Sequence, residues 1–181
     1  MQLLRIPMSV QPPSSMTIDV VGPADFHDLL PLVRAYCDFY AVAPSDSALM
    51  TLFEALNGDP AHEGLQLLAR GPSGEALGFA TVYWTWSTTR ASRTGVMNDL
   101  FVVPQARGTG VAEALIERCR EQCRTRGAVV LSWQTAPDNL RAQSLYEHVG
   151  AVRETWIDYW LDTSEPTPMS DPASRPGGLS P

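Results

Sequence analysis

The stretch from Val96 to Arg126 limits the fold more than any other. "VMNDLFVV" is a short, largely apolar run, "PQARGTG" interrupts it with Pro and two Gly, and "VAEALIERCREQCRTR" resumes with apolar residues at helical spacing until Gly127. A strand, a glycine turn and a long helix in that order place the chain among α/β folds. The first amides of a helix have no partner inside it and lie at the positive end of its dipole. Small residues there, Gly108, Gly110 and Ala112, let an anion approach the backbone, and Arg107 adds a fixed charge. A plain strand-to-helix turn accounts for the same residues. No Gly-Lys-Ser/Thr follows, so this is not a Walker loop, and the third glycine of a dinucleotide fingerprint is missing.

Around this unit the chain alternates strand and helix signals. "MTIDVV" predicts a strand, and Pro23 suits a helix's first turn. "ADFHDLLPLVRAYCDFY" predicts an amphipathic helix with Pro31 as a kink, and "SDSALMTLFEALNG" a second with a Ser45 or Asp46 cap and a stop at Gly58. "LQLLAR" and "ALGFATVYWTW" flank the turn "GPSGE" as a hairpin, and "STTRASRTG" is a polar link to the central strand. "AVVLSWQT" follows as a strand, Asp138 to Val149 as a short helix, and "AVRETWIDYWL" as one or two last strands. Residues 1–15 and 163–181 are rich in Pro, Ser and Gly or lack a periodic pattern, and are expected to be disordered, leaving a domain over 16–162.

Composition narrows the function. With 181 residues, 44% of them apolar, the chain can bury the core of one domain. A formal net charge of −7 argues against a general nucleic-acid binder and is easier to reconcile with a cationic partner. The N-terminal "MQLLRIPMSVQPPSS" resembles neither a signal peptide nor a membrane span. Cys37, Cys119 and Cys123 are too few for a secreted disulfide framework, so a cytoplasmic setting is expected. Cys119 and Cys123 share a helix face with Leu115 and read as buried thiols; no metal site is expected.

The motifs then meet a family. "RGTGVA" at Arg107 to Ala112 resembles the Arg/Gln-x-x-Gly-x-Gly/Ala motif of the GCN5-related N-acetyltransferases (GNAT), whose loop binds the pyrophosphate of acetyl-CoA. "NDLFV" is similar to that family's central strand. "DNLRAQSLYEHVGA", from Asp138 to Ala151, resembles its Asn-x-x-Ala-x-x-x-Tyr-x-x-x-Gly-Ala segment, with the spacing from Asn139 to Tyr146 in agreement. The resemblance is strong from Val96 onward and weaker before it, and within the superfamily it is greatest to diamine acetyltransferases and yeast-type histone and small-amine acetyltransferases. It implies a GNAT-type α/β fold, a mixed and mostly antiparallel central sheet flanked by helices in a single domain. It also implies an acetyl-CoA-dependent N-acetyltransferase acting on a primary amine of a small molecule or peptide, and a homodimer.

The resemblance assigns roles residue by residue. Strand backbone groups alternate with period two, so Leu100 and Val102 present theirs to one side. By resemblance that edge binds the pantetheine arm and polarises the acetyl carbonyl, making Leu100, Phe101 and Val102 cofactor contacts; a strand that merely packs would look the same. Arg107, Gly108, Thr109, Gly110, Val111 and Ala112 form the phosphate loop, and Asn139 and Arg141 are further contacts. Tyr146 is the implied general acid, and Asp99 a candidate base acting through water. The diamine branch has a Glu-Asp pair where this chain has Asn98 and Asp99, which weakens a polyamine reading. No cysteine stands where a covalent nucleophile would be needed, so transfer is expected to be direct. Asp38, Asp46, Glu54, Asp59 and Glu63, beside Phe39 and Tyr40, are candidates for holding a cationic amine, and Trp84 and Trp86 either line that cleft or pack in the core. A catalytically silent CoA-binding module is compatible with the same motifs.

Overall fold

The computed structural model describes residues 16–159 and 161–163. The expected disordered flanks, 1–15 and all but the first residue of 163–181, lie outside the described residues. The chain divides into two compact units, one ending at Gln134 and one beginning at Thr135.

The first unit is built on a five-stranded sheet in sequence order: β1 (Thr17–Val20), β2 (Gly64–Arg70), β3 (Ala76–Ser87), β4 (Ser92–Val102) and β5 (Leu131–Ser132). The first four are antiparallel to their neighbours and β5 runs parallel to β4. This is the mixed, mostly antiparallel sheet expected from the sequence. Helices α1 (Phe26–Phe39) and α2 (Asp46–Gly58) precede β2, and α3 (Val111–Thr125) links β4 to β5.

Helix α1 forms because Phe26, Leu29, Leu32 and Val33 make one apolar stripe, and the helix continues through Pro31. Ser45 caps α2, its Oγ accepting from the Ala48 amide at 3.2 Å. These helices bury their stripes on one sheet face against Leu68, Phe79 and Phe101. Arg70 on β2 ties the start of α1 to the sheet, donating to Asp25 at 2.8 Å and Asp28 at 2.6 Å. On α3, Leu115, Cys119 and Cys123 are buried. The helix comes so close to β4 that a methyl group on Gly95 would lie 2.6 Å from the Cys123 sulfur.

Three expectations change. The polar link "STTRASRTG" is shorter than its composition suggests: β3 runs to Ser87 and β4 starts at Ser92, because pairing of Ser92–Gly95 with Trp84–Ser87 satisfies their backbone groups despite polar side chains. The strand expected over "AVVLSWQT" contracts to Leu131 and Ser132, the two residues that find partners on β4. In the second unit, α4 (Leu140–His148) is present, but the described residues after Gly150 form no strand. Among the described residues no helix is long and apolar enough to cross a membrane.

Candidate active site

The C-terminal half of β4 has an open edge, and a bulge creates it. Met97 pairs with Val82 and Asp99 with Thr81, leaving Asn98 as the extra residue. Before the bulge the Gly95 amide donates to Val130 on the β5 side at 2.8 Å; after it the Val103 amide donates to Leu77 on the β3 side at 3.0 Å. Counting back from Val103 in steps of two, the amides of Phe101 and Asp99 face β3, and those of Leu100 and Val102 face the other way. On that other side β5 pairs with Gly95 and Val96 only. Leu100 and Val102 therefore share an edge that no strand among the described residues pairs. Phe101 does not join them: its amide faces β3 and its buried ring lies 6.2 Å from Phe79 in the core.

The edge runs into the glycine loop. After a turn at Pro104–Ala106, Gly108 and Gly110 adopt φ of 81° and 89°. That left-handed region costs an ordinary residue about 1–2 kcal/mol, which is why glycine stands at both positions. Gly110 precedes α3, its carbonyl accepting from the Ala114 amide at 3.0 Å, so Val111 and Ala112 carry the first helical amides. Thr109 Oγ1 donates to the Ala106 carbonyl at 2.7 Å and secures the turn. Arg107 folds back, its Nε donating to the Val102 carbonyl at 3.1 Å. Open space surrounds the position a Cβ would take on Gly108. Bare amides at a helix N-terminus, an arginine and the absence of side chains fit an anionic phosphate group.

Beside this edge, on the α1 face of the sheet, lies a polar group within apolar surroundings. Phe79 and Phe101 are register partners; the next pair along the same face is Thr81 and Asp99, and Tyr83 follows Thr81 at period two. The Tyr36 ring of α1 stands edge-on to both phenylalanines, 5.8 and 6.3 Å away. Burial pushes the Asp99 carboxyl above the usual carboxylate range, while the hydroxyls of Thr81 and Tyr36 and the Asn98 amide act in the opposite sense. Asn98 Nδ2 donates to Asp99 Oδ1 at 3.0 Å. Burial, and then the Asp99 charge, push the phenols of Tyr36 and Tyr83 upward, so both keep their protons. A carboxylate with raised basicity beside an unpaired strand edge can accept a proton at neutral pH.

The other candidates fall into place separately. In the second unit, Asn139 Oδ1 accepts from the Ala142 amide at 3.2 Å and so caps α4, a structural duty that its family role did not anticipate. Arg141 is exposed and Tyr146 is half-buried. Asp46 pairs with Arg34, and Asp59 with His62 at 2.8 Å, whereas Asp38, Glu54 and Glu63 are exposed. Trp84 and Trp86 share a strand face with different outcomes. Trp84 is buried, donating to the Pro60 carbonyl at 3.0 Å under the Arg126 guanidinium, and Trp86 is 71% exposed. Trp84 lies on the opposite face from Thr81, Tyr83 and Asp99, so it packs and does not line that group. Burial pushes the thiols of Cys119 and Cys123 to about 12 and about 11, as suits inert core residues.

Tyr36, Thr81 and Tyr83 carry the site beyond what the sequence singled out. Tyr36 sits three residues after Val33 in the helical stripe, and Thr81 is a polar residue in the otherwise apolar "GFATVYW"; their meaning depends on register. Comparison with known proteins adds the chemistry. The Acetyltransferase (GNAT) family model matches residues 29–151. The chain is 32% identical over 148 residues to the uncharacterized N-acetyltransferase YhfO of Bacillus subtilis (strain 168), covering 81% of this chain and 97% of that protein. It is 27% identical over 148 residues to a thialysine N-epsilon-acetyltransferase of Caenorhabditis elegans, covering 80% and 88%. A crystal structure of a probable acetyltransferase superposes with a TM-score of 0.73 at 26% identity, covering 82% of this chain and 99% of the other.

Proposed function

This chain belongs to the acetyltransferase (GNAT) family and is an acyltransferase, and on that premise we propose that it transfers the acetyl group of acetyl-CoA directly to the primary amine of a small molecule or peptide. The observation that carries the reading is the β4 edge at Leu100 and Val102, which no strand among the described residues pairs, continuing into two left-handed glycines at the N-terminus of α3. Acetyl-CoA supplies an activated thioester and an anionic handle. Arg107 and the amides from Gly108 to Ala112 hold the pyrophosphate, and the backbone of Leu100 and Val102 orients the pantetheine arm and polarises the carbonyl. Asp99 takes the proton of the substrate ammonium, leaving the nitrogen lone pair free to attack the carbonyl carbon. Tyr146 gives a proton to the thiolate as the carbon–sulfur bond breaks, and the second nitrogen proton, lost as the amide forms, restores the phenol through solvent. That the thialysine enzyme of Caenorhabditis elegans is named for an amine nitrogen supports the acceptor class. So does the acidic charge of this chain.

An acetylation assay over a panel of amines, read by thiol release with products weighed by mass spectrometry, tests the reading. At least one amine should turn over; a protein that binds CoA yet acetylates none is a silent module. CoA should raise the melting temperature of the wild type, because a ligand bound to the native state alone stabilises it by about 2.7 kcal/mol at a hundredfold excess over Kd. Gly110→Glu should lose that shift and keep most of its melting temperature without CoA. Normal CoA binding by Gly110→Glu would refute the loop assignment. Tyr146→Phe should slow single-turnover acetylation by at least about tenfold with CoA affinity retained. Transfer at the wild-type rate would remove Tyr146 from the mechanism.

A further inference from the structure

We propose that Tyr36 and Thr81 are positioning residues for Asp99, their two hydroxyls holding its carboxylate in place and keeping it ionised as a proton acceptor. The inference rests on the assignment of Asp99 as the base. Its ground is a polar row across an apolar face: Gln66 on β2 is the register partner of Thr81 on β3, which is the partner of Asp99 on β4. Gln66 and Thr81 are 4% and 0% exposed. Burying such groups without hydrogen bonds costs about 1–3 kcal/mol each, and a valine at position 81 would pack at no such cost. Gln66 Nε2 donates to Thr81 Oγ1 at 3.4 Å. That contact uses an acceptor site of the threonine oxygen and leaves its proton free, with the Asp99 carboxyl on the neighbouring register position.

Tyr36 approaches the same carboxylate from the helix. Its ring is fixed edge-on by Phe79 and Phe101 below and by Tyr40, 5.0 Å away, at the C-terminal end of α1. The phenol lies near enough to the Asp99 carboxyl for each group to shift the other's titration, and Asp99 is the register partner of Thr81 next along the face from Phe101. Among the described residues, the ionisable groups shown to face Asp99 are Tyr36 and Cys37 from α1 and Tyr83 from β3, with Tyr40 acting through Tyr36; Asp38 and Arg34 act on Cys37. All three of Tyr36, Cys37 and Tyr83 are pushed upward and stay protonated at neutral pH. No arginine or histidine among the described residues shifts Asp99. With no cation to hold the negative charge, neutral donors must do it, and Tyr36 is a donor across the whole working range because its own proton is held so firmly.

The test compares wild type with Tyr36→Phe, Thr81→Val, Thr81→Ser and Asp99→Asn. Two measurements are made on each: the pH profile of kcat/KM with acetyl-CoA and the best amine, and a carbon-13 titration of the aspartate carboxyls without substrates. The Asp99 resonance is the one missing from Asp99→Asn. Tyr36→Phe and Thr81→Val should move its titration midpoint, and the acid limb of the profile, to higher pH. At neutral pH kcat/KM should fall roughly tenfold, as for loss of a hydrogen bond to a charged group, and recover on the alkaline side. Thr81→Ser keeps the hydroxyl and should restore both readouts. Wild-type midpoints in Tyr36→Phe and Thr81→Val would overturn the inference, and Thr81→Val decides it alone if Tyr36→Phe does not fold. If Asp99→Asn keeps the acid limb, the base assignment fails and the inference with it. If Asp99→Asn loses the limb but the hydroxyl variants do not shift it, this inference alone fails.

Discussion

Two neighbouring rows cross the same face of the sheet on the same three strands. Leu68, Phe79 and Phe101 form one, and one pair further along Gln66, Thr81 and Asp99 form the other. The first lies within the core beneath α1 and α2 and contains no polar atom. The second sits at comparable depth at Gln66 and Thr81 and is polar throughout. Both rows are cross-strand register triplets on the same face, the second bordering the bulge at Asn98, and their side chains differ in kind. Apolar burial contributes about 25 cal/mol per Å², and the first row collects that gain. The second forgoes it, which a stable domain does only where polar atoms have work to do, here beside an unpaired strand edge.

The contrast breaks most readily at its apolar member. Phe79 is 1% exposed and touches both Tyr36 and Phe101. Phe79→Ala should destabilise the protein by about 3–5 kcal/mol, measured by urea unfolding, through lost transfer energy and a cavity that the surrounding rings cannot fill. Because Tyr36 leans on that ring, residual activity in the folded fraction should also fall. A loss below about 1 kcal/mol would mean that the apolar row is not the mechanical base of the site, and the distinction between the rows would lapse.

How much of this was legible beforehand follows the range of the interactions. Gly108 and Gly110 were readable because left-handed φ values select glycine locally; Arg107 was readable only as a charge in the same turn, and its bond to the Val102 carbonyl was not. That Leu100 and Val102 share a side followed from period two alone. Which side it is could not be read, since that depends on the bulge at Asn98 and on β5 ending its pairing at Val96. Asn98 stands where the diamine branch carries Glu, and the register shift and the 3.0 Å bond to Asp99 give the substitution a role no spacing could disclose. Tyr36 was hidden because a tyrosine in an apolar helical stripe looks like packing until the strand register brings a carboxylate beneath it. The last strands expected over "AVRETWIDYWL" are not formed by the described residues of that stretch, because an alternating apolar pattern by itself does not make a strand.

The smallest expected effect is also the sharpest test of the polar row, because it asks only for a sign. Burial raises the Asp99 carboxyl above its unfolded value near 3.8, so the native state binds its proton more tightly than the unfolded chain does. Stability from this group is therefore full below the unfolded value and is lost as pH rises through the folded one, the reverse of an aspartate held by a cation. Asp25 is such a contrast within the same unit: the Gly22 amide and Arg70 hold it below its ordinary value, so its contribution is present above that value and lost as pH falls. Asp99→Asn removes the titration and keeps the shape. The difference in unfolding free energy between wild type and Asp99→Asn should favour the wild type most at about pH 3.5, then move towards the variant as pH rises, and level off once the native carboxylate is fully ionised. Urea titrations of both proteins at several pH values across that range measure it, and the other titrating groups cancel in the difference. A gap independent of pH would show that Asp99 keeps its unfolded value in the fold, its hydrogen bonds offsetting burial, and the row would then hold no raised acid.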